Sequence, residues 1–228
     1  MSAFVEAITG ARVPVIAEVK LRDGDGTDLL RGRSVADVVA AYREAGAACV
    51  SVVTGKWFGG NAELLREVAS RIDVPLLRKD FITSASQLRM SRQLGASAVL
   101  LTAALLPAGV LPKLADQALE LGLTPFIEVT NAGELPADAR ECVIAVNNKD
   151  IKHRERLPAD VERSTGLLAD VLATGTPCPV SASGIDTPEA GARLIDAGFS
   201  ALLIGTGLLQ AGSPREWFAQ FEQARTNA

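Results

Sequence analysis

The chain is poor in several residues that common functions depend on. Aromatic side chains make up 4% of its 228 residues, and the formal net charge is −4. Too few rings for base stacking and the wrong sign of charge argue against a nucleic-acid partner. One histidine is present, His153, in the charged run Lys152-His-Arg-Glu-Arg156. A lone imidazole with no paired-carboxylate motif argues against a zinc or iron centre and reads as a surface residue. The three cysteines, Cys49, Cys142 and Cys178, lie in or beside apolar runs without a Cys-x-x-Cys pair. They read as small buried thiols rather than as a disulfide or metal site. No apolar run approaches the roughly 20 residues that cross a bilayer. The first residues, Met1-Ser-Ala-Phe-Val-Glu6, lack the basic start and apolar segment of a signal peptide. The expectation is a cytoplasmic protein without a membrane partner.

What is present is apolar strand material. Hydrophobic residues make up 48% of the chain, enough for one large core. The run Val74-Pro-Leu-Leu-Arg-Lys-Asp-Phe81 shows the design: a short apolar strand that ends abruptly in charge. Delivering a lysine at the end of a buried strand is costly unless the ammonium is paired. The same pattern of strand, polar tip and helix recurs. Strands are predicted at 14–20, 48–54, 74–79, 97–102, 124–130, 142–147, 178–183 and 201–205, with helices between them. Ser34, Asn61 and Ser84 stand at helix starts, and Gly46, Gly95 and Gly122 at helix ends. The helix after the fifth strand is poorly marked. This alternation favours a single (β/α)8 TIM barrel over residues 1–228 rather than a doubly wound open sheet.

Chemistry in such a barrel belongs at the C-terminal ends of the strands. Ser183-Gly184 and Gly205-Thr206-Gly207 follow strands seven and eight. Their small residues, with a short helix after Gly207, suit capture of a phosphate by main-chain N–H groups; simple chain turning is the plainer alternative. Lys20 and Lys79 end strands one and three, where one ammonium could act as a general acid or hold a carboxylate. Two solvated rim lysines are the alternative. Glu18 and Glu128 are suited to ion pairing or proton transfer, and Asn147-Asn148 to orienting a hydroxyl or carboxylate. The stretch Leu21-Arg-Asp-Gly-Asp-Gly-Thr-Asp28 is irregular and lacks the twelfth-position glutamate of a calcium loop.

These tips together resemble the indole-3-glycerol phosphate synthase family of tryptophan biosynthesis. The resemblance rests on Pro14-Val-Ile-Ala-Glu-Val-Lys20, Trp57-Phe-Gly-Gly60, Leu77-Arg-Lys-Asp-Phe-Ile82, Val146-Asn-Asn-Lys-Asp-Ile151, Ser183-Gly-Ile185 and Leu203-Ile-Gly205. It implies a decarboxylating lyase that closes an indole ring on an arylamino-deoxyribulose phosphate, with no cofactor or metal, as a monomer or weak homo-oligomer. It further implies Lys79 as general acid, Glu128 in the dehydration and Lys20 at the departing carboxylate, with Glu18 and Asn147 ordering them. Phe58 and Phe81 would hold the aryl ring. Lys149 would stand at a family arginine, and Ser183, Gly184, Gly205 and Thr206 would hold the phosphate.

Four departures accompany the resemblance. Arg22-Asp-Gly-Asp-Gly26 replaces a Ser-Pro-Ser segment, Ala182 a glutamate and Lys149 an arginine, and the family's N-terminal extension of a few dozen residues is not matched. The substitutions are expected at the carboxylate and aryl end, leaving the phosphate end untouched. A paralogue acting on a related amino-ketose phosphate and a non-catalytic phosphosugar-binding barrel are the alternative readings.

Overall fold

A computed structural model describes residues 1–107, 109–149 and 158–226. Eight parallel strands close into a barrel in sequence order, with β1 (Val15–Val19) hydrogen-bonded to both β2 (Cys49–Val53) and β8 (Ala201–Ile204). Between them lie β3 (Leu76–Lys79), β4 (Ala98–Thr102), β5 (Thr124–Val129), β6 (Val143–Asn147) and β7 (Cys178–Ala182). The fold is a (β/α)8 barrel.

Outside the strands pack α2 (Val35–Ala45), α3 (Ala62–Ala69), α4 (Ala85–Gln93), α5 (Val110–Glu120), α6 (Glu162–Ala173), α7 (Pro188–Asp196), α8 (Thr206–Gln210) and α9 (Pro214–Thr226). Ser34 and Asp37 form a capping box at the start of α2, and the Asn61 side chain caps α3. The helix expected from Leu106 begins instead at Val110. Gly109 enters it at φ +77, and a 3₁₀ turn over Ala103–Leu105 and Pro107 intervene. Between β5 and β6 the described chain forms only a 3₁₀ turn, Ala132–Glu134.

Strand alternation divides the core into two layers. Val15, Ala17 and Val19 face the surrounding helices, whereas Ile16 joins Leu77, Phe126, Val180 and Leu203 inside the barrel. Continuing the same period along β1 directs Glu18 and Lys20 inward.

An element not expected from the sequence, α1 (Ala3–Thr9), closes the opposite end of the barrel. Ser2 Oγ accepts the N–H of Val5, starting the helix, and Phe4, Val5 and Ile8 are buried. Phe4 meets Phe126 edge-on at 6.2 Å, and its carbonyl faces Cys49, the first residue of β2. The N-terminal segment is therefore a floor beneath the strands' N-terminal ends, on the far side from the polar tips. The run containing His153 lies outside the described residues.

Candidate active site

Register brings the polar tips into one ring. Glu18 pairs in the ladder with Ser51, Val53 with Lys79, Thr102 with Glu128, and Asn147 with Ala182. Lys79 Nζ lies 3.3 Å from Glu18 Oε2 and 4.0 Å from Glu128 Oε2, while Lys20 Nζ lies 3.7 Å from Glu18 Oε1. All four side chains are buried. Two ammonium groups and two carboxylates thus neutralise one another where isolated charges would be expelled. Glu18 Oε2 accepts no directed hydrogen bond even so, and the Ser51 and Thr102 hydroxyls and Asn147 Nδ2 also lack hydrogen-bond partners among the described residues. Polar groups that are buried yet unsatisfied at a barrel mouth suit a ligand rich in hydroxyl and carboxylate oxygens.

Two lobes flank this ring, and Lys20 lines both. The larger is a cavity of about 610 Å³ bordered by Glu18, Lys149, Ser183, Gly184, Gly205 and Thr206. Ser183 has φ +70 and Gly184 φ +69, so the chain after β7 turns through the left-handed region at two successive residues. The Ser183 N–H already donates to the Leu203 carbonyl at 3.4 Å. Its remaining polar offering is therefore the hydroxyl. At Gly205 an added Cβ would lie 2.4 Å from Glu18 Oε1. Only a residue without a side chain lets the acid and the β8 turn approach so closely.

The smaller lobe is apolar and bordered by Val53, Phe58, Lys79, Phe81 and Leu100. Lys20 Nζ sits 5.3 Å from the Phe58 ring centre, a cation–π distance. Phe58 and Phe81 do face a common cleft. It encloses about 20 Å³, room for about one water molecule, and Trp57 lies edge-on against Phe81 at 5.3 Å. An aryl ring enters only if these rings move apart.

The segment after β1 departs from expectation. Asp23 and Asp25 line the larger lobe, together with Lys149, and not the aromatic one. The cause is closure of the sheet: β1 borders β8, so the loop leaving β1 leans over the turn leaving β8. The end expected to be untouched by substitution is the end that carries these residues. Ala182 is fully buried in the inner apolar layer. Asp23 Oδ1 accepts the N–H groups of Asp25 at 3.0 Å and Thr27 at 2.9 Å. Slight burial opposes ionisation of Asp23, but these donors and the Lys20 charge outweigh it and hold the carboxyl below its ordinary range. Among the described residues no group of three or more histidine, cysteine, aspartate or glutamate side chains is arranged to hold a metal ion.

A family model described as indole-3-glycerol phosphate synthase matches residues 1–221. The chain belongs to the indole-3-glycerol phosphate synthase family. It is 38% identical over 217 residues to the Pyrococcus furiosus protein named indole-3-glycerol phosphate synthase, covering 92% of both chains. It is 35% identical over 220 residues to the protein of that name from Bacteroides thetaiotaomicron, covering 96% of this chain and 83% of the relative. It also matches the tryptophan biosynthesis protein TrpCD of Archaeoglobus fulgidus, at 34% identity over 218 residues, spanning 94% of this chain and 39% of that one. Its class is accordingly that of the ring-closing, decarboxylating lyases of the synthase type.

Several residues that support the ring escaped the sequence reading. Ser51 and Thr102 sit one ladder partner away from Glu18 and Glu128, and strict alternation along β2 and β4 was the signal for both. The Tyr42 hydroxyl, on the buried face of α2, donates to the Glu18 carbonyl at 3.0 Å. Arg78 points outward, opposite to Lys79. It donates to Thr54 and Ser91, each at 3.1 Å, and to Asp80 at 2.7 Å, fixing the chain between Lys79 and Phe81. Arg163 on α6 donates to the Asn147 carbonyl at 2.8 Å. Asn148, expected beside Asn147 at the ligand, instead faces α6 and bonds to Ser164 and Ser181.

Proposed function

We propose that this protein converts an arylamino-deoxyribulose phosphate into an indole glycerol phosphate, releasing carbon dioxide and water. The observation that carries this reading is the contact series Lys20–Glu18–Lys79–Glu128, set between an aromatic cleft and a glycine-lined cavity. Lys79 donates a proton to the ketone oxygen as the ring carbon bearing the carboxylate attacks the ketone carbon. The carboxylate beside Lys20 then leaves as carbon dioxide, and its bonding pair restores the aromatic ring. Departure of the new hydroxyl as water, with loss of a proton from the carbon next to nitrogen, completes the indole, and Glu128 serves that proton transfer. Glu18 holds both lysines in place, and Asn147 orients the sugar hydroxyls. Phe58 and Phe81 part to take the aryl group. Ser183, Gly184, Gly205 and Thr206, with Lys149 nearby, receive the phosphate. The reading further includes a single barrel unit, a cytoplasmic location, and a monomer or weak homo-oligomer.

A second reading, turnover of an amino-ketose phosphate with a different amine portion, is favoured by Asp23 and Asp25 on the wall of the larger lobe. Indole absorbance on mixing with the arylamino-deoxyribulose phosphate decides between the two; no signal at high enzyme concentration rejects the first. Lys79→Ala is expected to lower kcat by about 10²–10⁴-fold, the range for loss of general acid catalysis, while inorganic phosphate still binds. Unchanged turnover in that variant would remove Lys79 from the role of general acid, whereas wild-type protein that binds phosphate and turns over neither substrate would be a phosphosugar-binding barrel.

A further inference from the structure

Behind the β7 turn lies a buried polar network that the proposed reaction does not use. Asn148 Nδ2 donates to Ser181 Oγ at 3.1 Å and to the Ser183 carbonyl at 2.9 Å. Asn148 Oδ1 accepts from Ser164 Oγ at 2.7 Å, and the Ser164 and Ser181 hydroxyls are themselves 2.7 Å apart. The Asn148 N–H donates to the Ala182 carbonyl at 2.9 Å. Asn148, Ser164 and Ser181 are fully buried. One side chain thereby ties the end of β6 and the face of α6 to the carbonyl of the strained residue, Ser183.

Ser183 needs such an anchor. Its φ of +70 places a residue with a Cβ in the left-handed region, which costs free energy unless the surroundings hold it there. A neighbouring turn residue, Gly184, adopts φ +69 at no such cost. If the Ser183 carbonyl were released, the peptide would relax toward extended geometry, and the Ser183 and Gly184 groups that border the cavity would be displaced.

We propose that Asn148 is a positioning residue that holds the Ser183–Gly184 turn in its anion-receiving conformation before ligand arrives. This rests on the reading of that turn as part of the phosphate cradle. The role is distinct from that of Asn147: the two side chains leave β6 on opposite faces, one toward the ligand and one toward α6.

The test is a double-mutant cycle read by calorimetric binding of inorganic phosphate, with kcat and KM measured alongside. Asn148→Ala is expected to weaken phosphate binding and raise KM by about tenfold, from loss of a buried hydrogen-bond anchor, with kcat within about twofold. In a Ser183→Gly background the same change is expected to cost only about twofold, because glycine reaches this φ without strain. A merely structural role would lower the melting temperature and the active fraction equally in both backgrounds and leave KM unmoved, and that result overturns the proposal. Should Asn148→Ala not fold, Ser164→Ala removes the donor to Asn148 Oδ1 and is expected to weaken phosphate binding about threefold; unaltered binding there also overturns it. Wild-type protein that binds no inorganic phosphate would refute the cradle reading itself, whereas binding in wild type and equal binding in Asn148→Ala would refute only the positioning role.

Discussion

Lys79 and Lys20 are ammonium groups held out of water at strand ends, and Glu18 is the acid within ion-pair reach of both. The placement of Glu18 depends in turn on a hydrogen atom at position 205. A Gly205→Ala change would put a methyl group 2.4 Å from Glu18 Oε1, closer than any stable contact. Glu18 must then rotate, which disturbs its contacts with both ammonium groups. Displacement of catalytic groups by about 1 Å typically costs 10²-fold in rate, so Gly205→Ala is expected to reduce kcat by about 10²-fold. Steady-state kinetics on the folded variant check this; unchanged kcat would mean that Glu18 does not order the lysines. The Arg78–Asp80 pair follows the same logic on the outer face, where buried charge is tolerated because each partner is multiply bonded.

Two elements do work that their own sequences hardly announce. Helix α1 has only seven residues, too short to be stable alone. It persists because Phe4, Val5 and Ile8 fill the barrel floor. Phe4→Ala is expected to destabilise the protein by about 3–5 kcal/mol, as for large-to-small core changes generally, with kcat per folded molecule unaltered. Urea denaturation followed by circular dichroism measures the first quantity and active-site-normalised turnover the second. The loop between β1 and α2 makes the opposite kind of contribution, through charge. Asp23 and Asp25 face the lobe assigned to phosphate, so they oppose a dianion there. Converting both to asparagine is expected to lower KM for a phosphorylated substrate several-fold at low ionic strength. The difference should shrink as salt approaches about 1 M, where the screening length falls to about 3 Å. KM values that coincide at every salt concentration would exclude an electrostatic role for this loop.

At the scale of the whole molecule, the dry interior fixes how stability depends on pH. Burial pushes the Cys178 thiol up to about 12, and burial together with the charges of Glu141, Asp138 and Asp116 pushes Cys142 up to about 11. Cys49 is raised as well, by burial and then by Cys178, and Tyr42 by burial and then by the Glu18 charge. An unfolded thiol ionises near 8.5, so above that pH the unfolded chain has released protons that the folded one retains. The contribution of these groups is thus complete below about pH 8.5 and is lost progressively as pH rises through their folded values. The urea midpoint is expected to fall steadily between about pH 9 and 11, with each thiol adding up to about 1.4 kcal/mol per pH unit. A Cys49→Ala, Cys142→Ala, Cys178→Ala variant should show a shallower decline. The native thiols should resist a thiol-specific dye at pH 8 until denaturant is added. Identical pH slopes for the two proteins would count against this account.

The amino-acid sequence by itself determined which way most of the functional side chains point. A strand repeats every two residues, so Glu18, Lys79, Glu128 and Asn147 at the ends of apolar runs were legible as one class, and the glycine turns after β7 and β8 as another. Their roles in the reaction stay with the proposed function and its tests. Only the tertiary structure decided adjacency. Local period cannot say that β1 borders β8, and that closure carries Asp23 and Asp25 to the larger, glycine-lined lobe rather than the aromatic one. Nor can it say that a helix with no strong signal of its own finds an apolar floor to fill, that the Phe58–Phe81 cleft is closed, or that Asn148 turns away from Asn147 to meet Ser164. The direction of a side chain relative to its own strand is a short-range property of the backbone; its neighbours across a closed sheet are set by chain segments far apart in sequence.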